Sequence, residues 1–248
     1  MLPFTNRAAA RPQRWPKRGR GRDSRQEQLG SLAQAIGNTE MGNVRVGMGD
    51  RITVIGLGRF GRSVARTLHE LGYEVTAIDQ DERRVEEASE FVELAAQGDG
   101  ADEDLLRSLQ VDRSAVAIVA QGSNLEKSIL STLILKRLGI KSVIAKANNE
   151  LHGEVLRRIG ADRIIFPERD AGVRLAHTLA VPRIDDYISL SPTSGVAKFA
   201  APPHFQGRTL SDVYAVCGAN LSVLAIKRGQ HLITTPSYSE RIQRGDDL

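Results

Sequence analysis

Arg51-Ile-Thr-Val-Ile-Gly-Leu-Gly-Arg-Phe-Gly61 is the stretch of this 248-residue chain from which the rest can be read. Arg51-Ile-Thr-Val-Ile55 is a short β-branched run, and it breaks on Gly56-Leu-Gly-Arg-Phe-Gly61. Phe60, Val64, Leu68 and Leu71 follow at spacings of four, four and three, which predicts a helix. A second strand, Glu74 to Ile78, closes on Asp79, 18 residues after Gly61 and close to the offset of about 20 expected of a ribose-binding acid. Glycines alone are a weak signal. Strand, glycine turn, helix, strand and acid in that order predict nucleotide binding.

Each glycine has a steric role. Gly56 allows the tight turn off the strand, Gly58 lets the backbone approach a phosphate, and Gly61 lets the helix pack closely on the sheet. The helix then aims unpaired N–H groups and its positive dipole end at an anion, while Asp79 can accept both ribose hydroxyls. Downstream the alternation continues: helix Asp81–Ala88, strand Phe91–Ala95, helix Asp102–Leu109, strand Ala115–Ala120, helix Ser123–Leu138, strand Ser142–Ala145, helix Glu150–Ile159, strand Arg163–Phe166. Six short apolar strands separated by helices predict a doubly wound, Rossmann-like α/β parallel sheet. Ligands of such sheets lie beyond the carboxyl ends of the strands, near the switch in strand order. That rule nominates the glycine loop with Arg59 and Phe60, then Asp79, the run Gly98-Asp99-Gly100-Ala101, Ala120-Gln121-Gly122, and Lys146.

Charge is distributed unevenly. Eight basic residues against Asp23 give residues 1–25 a charge of +7, and taking that from the chain's +4 leaves −3 for residues 26–248. From Met1 to about Gly49 there is almost no apolar periodicity, so residues 1–50 are expected to be a basic, disordered extension. An arm touching nucleic acid or anionic lipid, a targeting peptide and an upstream start (Met41 or Met48 offering later ones) compete as readings, and no function is assigned to it. No stretch approaches the roughly 18 apolar residues of a membrane span. The single cysteine, Cys217, allows no intrachain disulfide, suits a reducing cytoplasm and is expected to be a small buried side chain.

Catalysis finds little support. A dehydrogenase needs a proton relay beside the nicotinamide, and none of His69, His152, His177, His204 and His231 stands in an acid/base constellation. Metal-protease, P-loop and nucleophile-elbow motifs are missing. A binding module therefore outranks an enzyme, and no catalytic residue is assigned.

Gly56-Leu-Gly-Arg-Phe-Gly61, Asp79, Gly98-Asp-Gly100 and Ile159-Gly-Ala-Asp-Arg-Ile-Ile-Phe-Pro-Glu168 together resemble the RCK (TrkA-N) domain family, most closely its KtrA-like members, over about residues 51–248. The resemblance implies a cytosolic regulatory subunit, built from dimers and assembled as a ring of eight, that docks on a membrane-embedded potassium-translocating partner and responds to ATP against ADP. It binds no nucleic acid on this reading. Arg59, at the mouth of the phosphate site, would contact the terminal phosphate; the bland alternative is a solvated arginine. Glu168 would help hold Mg2+ or Ca2+ beside the phosphates, or else simply complements the dipole of its helix. An NAD(H)-responsive TrkA-like regulator is the runner-up, and an NAD-dependent oxidoreductase is the more distant rival.

The resemblance divides the chain into a nucleotide-binding lobe at 51–167, a crossover helix and linker at 168–190, and a small α+β lobe at 191–248. In the crossover helix, Gly172, Leu175, Ala176 and Leu179 form a stripe suited to a second subunit. Val196–Ala200, Leu221–Ile226 and His231–Thr235 read as strands, Leu210–Val216 as a helix, and Lys227-Arg-Gly-Gln230 as a hairpin turn. Relatives continue past Arg241-Ile-Gln-Arg-Gly-Asp-Asp-Leu248 into another apolar strand, so this lobe is expected to be truncated and its sheet short of an edge.

Overall fold

A computed structural model describes residues 39–41, 44–47, 49–122, 124–180, 184–191, 194–218 and 221–248. The chain divides between Pro167 and Glu168 into two units. In the first, β1 (Thr39–Met41) pairs antiparallel with β2 (Val44–Val46), where the sequence led us to expect no regular structure. Val44-Arg-Val46 is too short an alternation to stand out among the glycines around it.

The main body follows as β3 (Arg51–Ile55), α1 (Arg59–Glu70), β4 (Glu74–Asp79), α2 (Glu82–Ser89), β5 (Leu94–Gln97) and α3 (Glu103–Ser108). It continues with β6 (Val116–Val119), α4 (Leu125–Arg137), β7 (Ser142–Lys146), α5 (Glu150–Arg158) and β8 (Arg163–Ile165). The six strands from β3 to β8 pair in parallel in the order β5-β4-β3-β6-β7-β8, so the sheet grows outward in both directions from the β3/β6 seam. Both faces are covered. On one, Ile52, Val54, Val75 and Ala77 pack with Val64 and Leu68 of α1. On the other, Ile55, Ile78 and Val119 pack with Leu106, Leu135 and Leu156 of α3, α4 and α5. Burial on both faces is why these strands read as unbroken apolar runs.

One strand lies elsewhere than expected. β5 is Leu94–Gln97, not Phe91–Ala95, because the N–H groups of Phe91 and Val92 still donate to the Ala88 carbonyl as α2 unwinds. Glu93 then accepts from Val75 N at 3.0 Å, fastening this turn to the start of β4.

α6 (Pro167–Ala180), a helix as expected at this position, leads into the second unit and buries none of its side chains. β9 (Ile184–Ser191) pairs antiparallel with β10 (Ser194–Phe199), a hairpin where a linker was expected. α7 (Leu210–Cys217) starts on a capping box between Thr209 and Asp212. β11 (Ala225–Arg228), β12 (His231–Thr234) and β13 (Asp246–Asp247) form an antiparallel sheet in the order β12-β11-β13. Its core is Phe205, Leu210, Val213, Ile226 and Ile242. Gly229, with φ +60°, opens the two-residue turn between β11 and β12, as the hairpin signal requires. Three details depart from expectation. Leu221–Leu224 is not strand, the end of Arg241–Leu248 supplies an edge strand, and Cys217 is exposed because it occupies the last turn of α7 beyond the core.

Candidate nucleotide site

Among the described residues, four of the five α-helices of the first unit start on a side-chain cap. Asp81, Asp102, Asn124 and Asn149 each accept a backbone N–H from the first turn of α2, α3, α4 and α5. α1 differs: it starts on Gly58, has no side-chain cap and carries no acid in its first turn. The helix facing the strand-switch seam is thus the one whose N–H groups are left for an external anion.

The loop before α1 is held by backbone contacts. Gly56 takes φ +93°, and its N–H donates to the Ile78 carbonyl at 2.8 Å. At Gly61, a Cβ would stand 1.8 Å from the Gly56 carbonyl oxygen and 3.0 Å from Ala120 Cβ, so the close packing foreseen for this glycine is real. Asp79 is only 8% exposed, and its carboxylate accepts from Leu57 N (2.5 Å) and Asp81 N (2.9 Å), with the Arg84 guanidinium 3.5 Å away. It braces the glycine loop as well as standing where a ribose is expected.

The remaining nominated residues gather along the same strand ends. A Cβ on Gly100 would meet Ile55 Cγ2 at 2.1 Å, and one on Gly122 would meet Lys146 Nζ at 2.9 Å. Asp99 accepts from Ala101 N at 2.9 Å and from Gln80 Nε2 at 2.6 Å, while Lys127 Nζ lies 3.8 Å from it. Lys146 Nζ stands 6.0 Å from the Phe60 ring centroid. Ala120 N donates to the Ile55 carbonyl at 2.7 Å. Glu168, in contrast, belongs to the second unit, in the first turn of α6 with Asp170. Among the described residues no three His, Cys, Asp or Glu side chains gather as a metal-binding group.

A cavity of about 860 Å³ opens beside the loop, between α1 and α2. Leu57, Gly58 and Arg59 border it, and sequence reasoning missed the other arginines of its wall: Arg62 and Arg66 from α1, Arg83 and Arg84 from α2. Arg59, Arg62 and Arg66 sit at i, i+3 and i+7, a helical face that could have been read, but its partners on α2 lie a strand away.

His177, His69 and His152 each have a defined side-chain neighbour. His177 lies on the Tyr187 ring at 4.5 Å, and His69 faces Glu93 at 3.3 Å. His152 is buried between α4 and α5. Ser128 Oγ, which donates to the Leu125 carbonyl, sits 2.8 Å from its Nε2, and its Nδ1 accepts from Asn148 N at 3.4 Å. Both ring nitrogens are satisfied with the ring neutral, and burial pushes its pKa below the ordinary value of 6.5. The unfolded chain takes up a proton that the native site refuses, so stability is expected to fall as the pH drops below about 6.5. Urea unfolding from pH 7.5 to 5.5 checks this. His152→Gln, uncharged at every pH, is expected to flatten the dependence, and an unchanged slope would refute the assignment.

The TrkA-N domain pattern matches residues 52–167. The chain is 40% identical over 201 residues to the Ktr system potassium uptake protein C of Bacillus subtilis, covering 81% of this chain and 91% of the relative. It is 38% identical to the Ktr system potassium uptake protein A of Vibrio alginolyticus, covering 80% of this chain and 90% of that one. Among solved structures, the GsuK RCK domain superposes with a TM-score of 0.56 at 19% identity, over 81% of this chain and 44% of that chain, a likeness of fold. With two full-length relatives above one-third identity and the TrkA-N pattern lying on the parallel sheet just described, the chain belongs to the Ktr potassium uptake protein family.

Proposed function

We propose that this chain is the nucleotide-sensing regulatory subunit of a membrane potassium uptake system, that it reads ATP against ADP, and that it binds its nucleotide without turning it over. The observation that carries this is Arg59. It stands one residue after the uncapped start of α1, and among the described residues it makes no ion pair or hydrogen bond. A permanent cation left unmatched beside an anion-binding helix start favours a polyanionic ligand over a neutral one.

The loop glycines and the N-terminal N–H groups of α1 receive the inner phosphates, Phe60, Ala120, Gly122 and Lys146 border the crevice, and Asp99-Gly100-Ala101 lies at its adenosine end. The third phosphate engages Arg59, and ADP leaves that charge unmatched. Only such a difference in affinity between two conformations can move a regulatory equilibrium. No helix among the described residues is long and apolar enough to cross a membrane, and translocation falls to a separate membrane-embedded partner. The working unit is a dimer that assembles further into a ring on the cytoplasmic face. In its favour, Val173, Leu175 and Leu179 of α6 and Ile188 and Leu190 of β9 are exposed apolar side chains that the single chain leaves uncovered. A cation held by Glu168 would draw its other oxygens from phosphate and water, and no step of the proposal depends on one.

Isothermal titration of the full chain with ATP, ADP and NADH tests this. ATP is expected to bind tightest. Arg59→Ala should lower ATP affinity about tenfold, the worth of one charge-assisted hydrogen bond, and leave ADP nearly unchanged. Tightest binding of NADH with no dependence on phosphate number would replace the ATP reading with the NAD(H)-responsive one. Steady turnover of any nucleotide would overturn the non-enzymatic assignment.

A further inference from the structure

We infer that the arginine-walled cleft between α1 and α2 is a second phosphate subsite, one that receives a phosphate carried on the adenosine ribose, so that the chain also takes 2′-phosphorylated adenine nucleotides. This rests on a nucleotide occupying the crevice proposed above.

The cleft lies directly over Asp79. Leu57 and Asp81, whose N–H groups hold the two oxygens of that carboxylate, both line the cavity. In a doubly wound sheet the acid ending the second strand marks the ribose hydroxyls, so the cavity sits on the side to which a 2′-substituent points. Here the acid is withdrawn. Asp79 is 8% exposed, turned onto backbone donors, and screened from outside by the Arg84 guanidinium at 3.5 Å. A 2′-phosphate entering the cleft therefore meets guanidinium groups first, not a bare carboxylate.

Charge balance points the same way. Besides Arg59, four arginines face the cavity, Arg62, Arg66, Arg83 and Arg84, against Asp81 and Glu87 in its wall and Asp79 beneath it. Glu87 alone serves two of them, pairing with Arg62 and, at 3.6 Å, with Arg83 Nε. Arg66 has a ring for a neighbour, its guanidinium carbon 4.2 Å from the Phe91 centroid. A purely structural network between two helices would match carboxylates to arginines. This one has more guanidinium groups than it can pair, in a cavity with room for a ligand, and the planar fork of arginine suits a phosphate monoester.

Titration calorimetry of the full chain with AMP, adenosine 2′,5′-bisphosphate and adenosine 3′,5′-bisphosphate at one ionic strength isolates the ribose phosphate. The 2′,5′ compound is expected to bind about tenfold tighter than AMP. Arg83→Gln and Arg62→Gln should bring the two affinities together with AMP binding unchanged. Glu87→Gln, which releases both arginines, should widen the gap. All three side chains are exposed, and unchanged melting curves verify that the fold is intact. Equal or weaker binding of the 2′,5′ compound than of AMP overturns the subsite while leaving the crevice reading standing. A 3′,5′ compound bound as tightly as the 2′,5′ one overturns the 2′ assignment. Failure of all three ligands together with ATP and ADP overturns both.

Discussion

Gly61→Ala is expected to abolish nucleotide binding and to lower the stability of the first unit by about 3 kcal/mol, the upper range for forcing atoms into a packed interior. The added methyl would sit 1.8 Å from the Gly56 carbonyl oxygen, and the strain cannot be relieved by a rotamer change, because that atom is backbone. Either α1 lifts from the sheet or the Gly56 turn opens, and both displace the N–H groups that face the ligand. Gly58→Ala is the informative contrast. Gly58 has φ −61°, and a Cβ there meets nothing within 4 Å, so the fold should tolerate it, while the methyl intrudes where a phosphate must approach the backbone. Urea unfolding with parallel ATP titration separates the two: Gly61→Ala should lose midpoint and binding together, Gly58→Ala binding alone. A stable Gly61→Ala protein that binds ATP normally would remove the basis for placing phosphate at this turn.

The contrast also marks what was legible in the sequence. Gly56 and Gly61 could be read because their roles are steric and local, fixed by one turn and the strand beside it. The central strands could be read because burial on both faces leaves continuous apolar runs, such as Val116-Ala-Ile-Val119. β5 slipped because Phe91 and Val92 are apolar for a different reason: they pack on the α1 face of the core from a turn, while the strand itself is the unremarkable Leu94-Ala-Ala-Gln97. β9 was missed since its apolar residues Ile188 and Leu190 are exposed and two aspartates interrupt the run. The arginine cleft was illegible because it is assembled across space: Arg62 and Arg66 belong to one helix, Arg83 and Arg84 to the next, and only the fold brings them to one cavity.

The second large effect belongs to the second unit, where Arg228 fastens the last residues to the sheet. Its guanidinium donates two bonds to Asp246, Nε to Oδ1 and Nη2 to Oδ2, both 2.9 Å, with further bonds to Glu240 Oε1 (3.1 Å) and the Arg241 carbonyl (2.9 Å). Asp246 is fully buried and also accepts from Gln243 N at 2.8 Å. Asp246→Ala takes away the two bonds to the buried carboxylate but leaves Arg228, partly exposed, with Glu240 as partner, so it is expected to cost about 2 kcal/mol at neutral pH and to release β13 from β11. The hydrogen bonds from Arg228 hold the Asp246 carboxyl below its usual value, against the burial that would raise it. A carboxylate depressed in the folded state contributes stability that is complete above the unfolded value of about 4 and is lost as the pH falls through the lower, folded one. The gap between wild type and Asp246→Ala, measured by urea unfolding, should therefore be full at pH 7 and shrink below about pH 4. Asp246→Asn, which keeps the shape without the charge, should fall between them at pH 7 and lack the acid-dependent loss. A gap that stays constant from neutral to acid pH would mean that β13 is held by packing and not by this ion pair.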